Sequence, residues 1–374
     1  MKIVIASDSF KGSLCAVEVC RHIARGVKRA VPGVHTVEMP VSDGGEGLVD
    51  VMIAAAGGDH VREKVEDPLG REIDAEYAVL AGGKTAVVEM AAASGLPLLA
   101  PEERNPLKTS TFGTGQLIRS ALGQGVDTVV IGLGGSATVD GGAGMAEALG
   151  MEFFNSSGEP AGRGGGSLSD ISSIRTDSRD ARLDSVNIRA ACDVDNPLTG
   201  DRGASVVYGP QKGASPEVVD KLENGMKNLA GLIRTELNID IEHEPGSGAA
   251  GGLGGGIMAF AGGTLEPGID LVLDTIGFDR EVRDADLVIT GEGKIDEQTL
   301  FGKVPVGVSL RAKVFDCPVI AIGGALEGDL SGLHEKNIRS YFSMIHAVMP
   351  EEELFRSTGT MLETTSEQII RTFF

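Results

Sequence analysis

Six short turns hold most of the residues that could do chemistry. They are "DSFKGS" (8–13), "SDGGEG" (42–47), "TFGTGQ" (111–116), "GGSATVDGG" (134–142), "GPQKGA" (209–214) and "GEGKIDEQTLFGK" (291–303). Each sets a charged or hydroxyl side chain beside glycines, whose lack of a Cβ lets backbone amides approach a ligand closely. Lys11, Lys212 and Lys303 can hold an anion. Asp8, Asp43, Glu46, Asp140, Asp193, Asp195, Glu292 and Asp296 suit magnesium, which takes one or two carboxylates and completes its shell with phosphate oxygens. In "GGSATVDGG" the glycine amides and the hydroxyls of Ser136 and Thr138 can ring an oxyanion. A phosphate is the obvious candidate.

Net charge makes that reading demanding. With 33 basic and 54 acidic residues the chain carries −21, which argues against nucleic-acid or anionic-membrane partners, since both need a basic face. A bound phosphate must therefore find local lysines, amides or a cation. Glycine is the main compositional bias: 54 of 374 residues, about twice the usual 7%. It comes in bursts between apolar runs, which excludes a collagen-like repeat. The four cysteines form no CxxC pair and the six histidines no HxH or HExxH, so a zinc site is not expected. "MKIVIASDSFKG" is too briefly apolar for a signal peptide, and no run approaches a membrane span. The expectation is a soluble, cytoplasmic, reduced protein.

The positioning elements follow from periodicity. "MKIVIAS" reads as a buried strand, followed by a helix capped by Ser13 with Leu14, Val17, Cys20, Ala24, Val27 and Val31 inward, ending at Pro32-Gly33. "HTVEMPVS" and "GLVDVMIAAAGG" repeat the strand–helix pair, which predicts a parallel sheet. "VREKVEDPLGREIDAEYAVL" and "KTAVVEM" instead read as strands joined by tight turns. "PLKTSTFGTGQLIRSALGQG" (106–125) brings back a helix after a Thr- and Gly-rich turn, and strand "DTVVIGL", helix "AGMAEALG" and strand "NIRAACDV" come next. Residues 215–238 form the clearest helix, capped by Ser215 with Pro216 first and Leu222, Leu229, Ile233 and Leu237 inward. From residue 284 the strand–helix alternation resumes. The simplest architecture is α/β, with two unlike domains. One, residues 1–60 plus 285–374, is built from both chain ends; the other, a mixed-sheet domain at 61–284, is inserted between them.

Two dinucleotide-like patterns, Gly132-x-Gly134-x-x-Ala137 and "GSGAAG" (246–251), are present, but about one such match is expected by chance at this glycine content. The ribose-binding acid that should end the following strand is replaced by Asn155 in "MEFFNSS". A P-loop and the protein-kinase motif set are absent. "CDVDNPLTG" follows a strand and carries Asp193 and Asp195 two apart; one can reach a site while the other caps the turn.

The same stretches resemble a known family from end to end. "DSFKGSL" (8–14), "DGGEG" (43–47), "DPLGR" (67–71), "EMAAASGL" (89–96), "GTGQLI" (113–118) and residues 132–145 carry the resemblance, with "CDVDNPLTG" (192–200), "GPQKGAS" (209–215), "GAAGGLG" (248–254), residues 288–299 and "GKVPVGV" (302–308). The chain is similar to the bacterial glycerate kinases of the first type, the glycerate 2-kinase family. The resemblance implies a flavodoxin-like, Rossmann-type three-layer domain from both chain ends plus an inserted α/β domain. It implies magnesium-dependent transfer of a phosphoryl group from ATP to D-glycerate, in glycerate/glyoxylate or sugar-acid catabolism, and leaves a homodimer open. Three departures from the family's pattern stand out: Ser7, Val139 and Lys294 where proline, asparagine and arginine are usual.

On these motifs the expected catalytic group is Asp193 as base, with Lys11, Asp8 and Asp296. A magnesium ligand and a turn cap are the rival roles for Asp193. Gly134, Gly135, Ser136, Thr138, Gly291, Glu292, Gly293 and Lys303 are expected to bind ATP, although the residues leave open whether the 134–142 loop holds phosphate or the glycerate carboxylate. Lys212, Ser94 and Thr114 are expected at glycerate, and Asp43, Asp140 and Asp195 at the metal. The family name favours phosphorylation at the 2-position; the same kinase giving 3-phosphoglycerate, a nicotinamide-dependent hydroxy-acid oxidoreductase and a two-lobed binding protein without chemistry are the competing readings.

Overall fold

A computed structural model of the chain describes residues 1–45 and 47–373; Glu46, a magnesium candidate in the sequence, lies outside them. Thirteen strands are found among these residues. They are β1 (Lys2–Ser7), β2 (His35–Glu38), β3 (Gly58–Glu66), β4 (Glu72–Leu80), β5 (Thr85–Glu89), β6 (Thr128–Gly132) and β7 (Glu152–Asn155). β8 (Ile171–Arg175), β9 (Asn187–Ala191), β10 (Thr264–Glu266), β11 (Leu287–Ile295), β12 (Val319–Leu326) and β13 (Ile338–Ser343) complete the set. Two compact units share them. The first comprises Met1–Asp43, Asp50–Gly57 and Ile269–Phe374, the second Gly44–Val49 and Gly58–Gly268. The chain thus re-enters the first unit at Ile269, ahead of the expected residue 285, because the helix Gly268–Thr275 packs there: a Cβ on Gly307 would meet the Ile269 side chain at 2.4 Å.

The first unit is a five-stranded parallel sheet in the order β13-β12-β11-β1-β2. Counted within the unit from β2, that is 2-1-3-4-5, the flavodoxin-like order. Ile3, Ile5, Leu287, Ile289 and Ile322 meet Val19, Ile23 and Val27 of the helix Ala16–Ala30 and Leu362 and Ile369 of the helix Glu351–Phe373. On the other face Ile295 and Ala321 meet Val306 of the helix Val304–Lys313. Helices therefore cover both faces, which a parallel sheet requires.

The expected cap and inward face of the first helix need correction. Cys15, not Ser13, is the N-cap; the Ser13 hydroxyl instead donates to Thr358 Oγ1 at 2.7 Å or to the Phe355 carbonyl. The buried stripe includes Val19 and Ile23, while Val17 is only half-buried.

The second unit is a six-stranded mixed sheet, β10-β9-β6-β5-β4-β3. β3, β4 and β5 are antiparallel neighbours, and β5, β6, β9 and β10 run parallel. β7 and β8 form a separate hairpin. Val88, Ile131 and Ile188 lie in one core with Leu117 and Ile118 of the helix Phe112–Gly123. The long helix starts at Pro216 with the Ser215 hydroxyl accepting from the Val218 amide, and ends at Leu232 in a wider turn over Ile233–Leu237. No helix among the described residues is long and apolar enough to cross a membrane.

Candidate active site

Parallel α/β sheets bind ligands beyond the carboxyl ends of their strands, where adjacent strands lead their connections in opposite directions. In the first unit that point lies between β1 and β11. Ser7 pairs with Gly291, and the next residues, Asp8 and Glu292, carry the carboxylates. The Asp8 amide donates to the Gly291 carbonyl at 2.9 Å, and its carboxylate accepts from the Ser9 amide at 2.6 Å. Burial pushes the Asp8 carboxyl up to about 6; Asp43 adds to the rise, while the Ser9 amide and Lys11 oppose it. Lys11 itself is exposed.

Glu292 is 7% exposed and accepts from the Thr299 hydroxyl at 2.5 Å. Burial pushes it up to about 7, Asp8 and Asp296 add to this, and Thr299 and Lys303 pull against it. Asp296 caps the turn Glu297–Phe301 by accepting from the Gln298 amide at 3.0 Å, and Lys303 Nζ stands 3.4 Å from its carboxylate. Burial works to raise Asp296, but the Lys303 charge and the Gln298 amide prevail and hold it below the usual carboxylate value. Asp8, Asp43, Lys11, Glu292, Asp296 and Lys303 are thus coupled electrostatically at one strand mouth.

The glycines there have steric reasons. A Cβ on Gly291 would lie 2.4 Å from the Ile322 carbonyl oxygen, and one on Gly293 would lie 3.3 Å from the Lys11 amide. The Ser7 hydroxyl donates to the Gly291 carbonyl at 3.0 Å, a bond that a proline at this position could not make. Lys294 pairs with Glu327 at 2.5 Å and with Asp296 at 3.6 Å.

The second unit presents its own strand mouth. Gly132 ends β6 and Glu89 ends β5 in register with it. Together with Gly45, Ala91, Pro97, Gly134 and Gly135 they line a cavity of about 240 Å³. Gly134 and Gly135 are exposed there. The Glu89 carboxylate accepts from the Leu48 amide, at the start of the helix Leu48–Ala56, at 2.5 Å.

Beyond Gly135 the loop turns inward, and the expected ligand groups bond the protein. Ser136 Oγ lies 3.1 Å from the Ala250 carbonyl and 3.3 Å from Thr138 Oγ1. Lys212, 2% exposed, donates to Ser136 Oγ at 2.9 Å and to the Thr138 carbonyl at 2.7 Å. Burial pushes its ammonium down to about 7, against the attraction of Asp140. Asp140, 1% exposed, accepts from the Thr111 amide (2.8 Å), the Thr111 hydroxyl (2.9 Å) and the amides of Gly142 (3.1 Å) and Gly144 (3.3 Å). Burial raises its carboxyl despite these donors. Asp140, expected at the metal, thus accepts four hydrogen bonds from Thr111 and from the amides of its own loop.

The remaining expected residues are equally specific in their settings. Thr114 Oγ1 donates to Ser94 Oγ at 2.7 Å, and both side chains are fully buried. The Asp193 carboxylate accepts from the Gly268 amide, the first of the helix Gly268–Thr275, at 2.8 Å, which is the geometry of its turn-cap alternative. Asp195 is exposed and paired with Arg202 at 2.5 Å. Val139 is fully buried in the core. No cluster of three or more His, Cys, Asp or Glu suited to a metal occurs among the described residues, and the four cysteines are free thiols.

The second dinucleotide-like pattern has a packing explanation. A Cβ on Gly251 would lie 1.9 Å from the Thr138 carbonyl oxygen, and one on Gly252 would lie 2.8 Å from Gly141 Cα. These glycines let two backbones touch. Sequence reasoning gave this contact no weight, and glycine clustering in both segments was its only signal.

Comparison with known proteins agrees with this layout. The model of the "Glycerate kinase family" matches residues 3–374. A glycerate kinase of Bacillus cereus is 48% identical over 99% of this chain and 97% of its own length. A glycerate 2-kinase of Escherichia coli K12 is 45% identical over 100% and 98%. A crystal structure from Salmonella typhimurium LT2 that carries the name glycerate kinase 2 matches with a TM-score of 0.93 and 43% identity, covering 100% of this chain and 98% of that one. Two α/β units whose strand mouths carry these motifs, and relatives matched over nearly their full length, mean that the chain belongs to the glycerate kinase family.

Proposed function

We propose that the enzyme transfers the γ-phosphoryl group of ATP to D-glycerate with Mg²⁺, giving 2-phospho-D-glycerate and ADP. The observation that carries this reading is the charge arrangement at the β1/β11 mouth. Phosphoryl transfer needs positioned phosphates, charge neutralisation and an acceptor for the hydroxyl proton. Lys303 and Lys11 supply positive charge in a protein of net −21, and two carboxyls, Asp8 and Glu292, are held at about 6 and 7. A base with its pKa near the working pH is the most effective general base, so one of these two receives the glycerate hydroxyl proton.

The donor set fits magnesium: whichever of Asp8 and Glu292 does not take the proton is a hard oxygen ligand, and one carboxylate suffices when phosphates complete the shell. When bound, the ion neutralises charge on the phosphate oxygens. The name of the Escherichia coli relative supports the 2-position. The absence of a membrane-crossing helix among the described residues is compatible with a cytoplasmic enzyme.

Incubation with ATP, Mg²⁺ and D-glycerate, followed by phosphorus NMR, tests the reading. A 2-phosphoglycerate signal that disappears with EDTA is expected. A 3-phosphoglycerate product overturns the regiochemistry, and absence of turnover overturns the substrate.

A further inference from the structure

A fully buried lysine costs solvation energy that a hydrophobic residue of similar size would not, so Lys212 needs a reason for its charge. Its ammonium donates to Ser136 Oγ and the Thr138 carbonyl, both in the glycine loop. The opposite charge that acts on it is Asp140, which grips the far end of the same loop through the Gly142 and Gly144 amides and, across the packing, Thr111. Tyr208 lies with its ring centre 5.9 Å from the ammonium. Lys212 and Asp140 thus hold the loop from within at two points, residues 136–138 and 142–144. Immediately before the first point stand Gly134 and Gly135, on the cavity wall.

We propose that Lys212 is a positioning residue: from beneath the loop it ties Ser136 to Thr138 and thereby fixes the turn that presents the Gly134 and Gly135 backbone to the cavity. The role differs from a direct glycerate contact, which the burial of the ammonium opposes. It rests on the reading of this loop as the ligand-facing element of the kinase.

The neighbouring contacts explain why a charge is used. Gly251 lies against the Thr138 carbonyl so closely that no side chain fits, and the Ser136 hydroxyl is shared between Thr138 and Ala250. Ser136, Thr138 and Ala250 crowd acceptor oxygens together. An ammonium, with three donors and no acceptor, satisfies such a cluster; an amide or hydroxyl would add a further lone pair to it.

The test uses the full-length enzyme and its Lys212→Met variant. Amide hydrogen exchange across 134–142 is read alongside kcat and KM for each substrate. The expected result is a folded variant whose exchange in this loop rises at least tenfold, while kcat/KM falls about 10²-fold, the usual cost of a misplaced reacting group. Unchanged loop exchange with a raised KM means direct ligand contact and overturns the proposal, as does wild-type behaviour in both measurements. If Lys212→Met does not fold, Ser136→Ala removes one acceptor of the ammonium. Faster exchange at 134–138 is then expected, and unchanged exchange overturns the proposal. Exchange needs no substrate, so failure of the glycerate kinase assay in the wild type is distinguishable: it removes the functional reading while the positioning measurement still stands or falls by itself.

Discussion

Asp8 directly follows β1, and Glu292 stands in the adjacent parallel strand β11 one residue past its last pair with β1. Half-buried Asp8 and buried Glu292 are both held well above their ordinary values, with the charge of Asp8 adding to the rise at Glu292. The carboxyls titrate near 6 and 7. A base must be unprotonated, so kcat/KM is expected to fall as pH drops through 7 towards 6. Glu292→Gln removes one of the two groups. A pH–rate series on the wild type and this variant should show the acidic limb move or vanish; an identical limb in both excludes Glu292 as its source.

The same two carboxyls set a stability dependence of unusual sign. Both have folded values above their ordinary 3.8 and 4.5, so the native protein binds more protons than the unfolded chain at intermediate pH. Their contribution is present below about pH 4 and is lost as pH rises through 6 to 7. Asp8→Asn and Glu292→Gln remove this loss. Each variant is expected to melt above the wild type at pH 8 and by a smaller margin at pH 4.5. A pKa raised by one is worth about 1.4 kcal/mol, and about 2–4 °C accompanies each kcal/mol in a domain of this size. Calorimetry at the two pH values decides, and equal Tm differences at both refute the linkage.

Lys303 touches Asp296 at 3.4 Å and lowers the Glu292 carboxyl, while Lys11 lowers that of Asp8. Replacing either by alanine should reduce kcat/KM by about 10²-fold, the usual cost of losing one charge-stabilising group. Stability should change by less than about 1 kcal/mol, since partly exposed ion pairs contribute little. In Lys303→Ala the residual activity should also have its acidic limb at higher pH, because the cation that favoured ionised Glu292 is gone. Near-normal turnover in either variant would make that lysine merely solvated.

Glycines that serve packing and glycines that serve only a turn should respond differently to alanine. Gly251 has φ +73 and no room, with a Cβ 1.9 Å from the Thr138 oxygen. Gly82, in the turn between β4 and β5, has φ +93 and nothing within 4 Å. Gly82→Ala should cost about 1–2 kcal/mol, the penalty of a left-handed conformation alone. Gly251→Ala adds a backbone clash and should cost on the order of 3 kcal/mol or more, with loss of activity through the loop. Chemical denaturation of both variants measures the contrast.

The strands and the assembly of one unit from both chain ends were legible because apolar runs such as "KIVIAS" and "LVIT" encode burial locally. Asp8, Glu292 and Asp296 were legible because they come just after the apolar runs that open β1 and β11 or after β11 itself. The direction in which a side chain points was not. Ser136, Thr138, Ser94 and Thr114 look like ligand donors in sequence, yet their hydroxyls bond within the fold. The Thr111 amide and hydroxyl that Asp140 accepts from come from 29 residues away, a contact that its local sequence does not announce. The first helix shows the same limit: Ser13 has the better capping chemistry, but a tertiary bond to Thr358 claims its hydroxyl.

Asp193 is the residue for which sequence and geometry pull hardest against each other. Its place after β9 in "CDVDNPLTG" suits a base, whereas its carboxylate accepts from the Gly268 amide at 2.8 Å. A cap and a base respond differently to asparagine. Asparagine retains an oxygen that can accept from Gly268, and it is as good an N-cap as aspartate, but it cannot take a proton. Alanine lacks both functions. If Asp193 caps, Asp193→Ala should lower stability by about 0.5–2 kcal/mol, and Asp193→Asn should leave both stability and turnover close to wild type. If it is the base, Asp193→Asn should lose about 10²–10⁴ in rate with its melting temperature intact. Because Asp8 and Glu292 already supply carboxyls tuned near neutrality, we expect the first pattern. Paired melting and steady-state measurements on the two variants separate the roles, and a 10²-fold loss in the stable asparagine variant would transfer the proton-accepting role to Asp193.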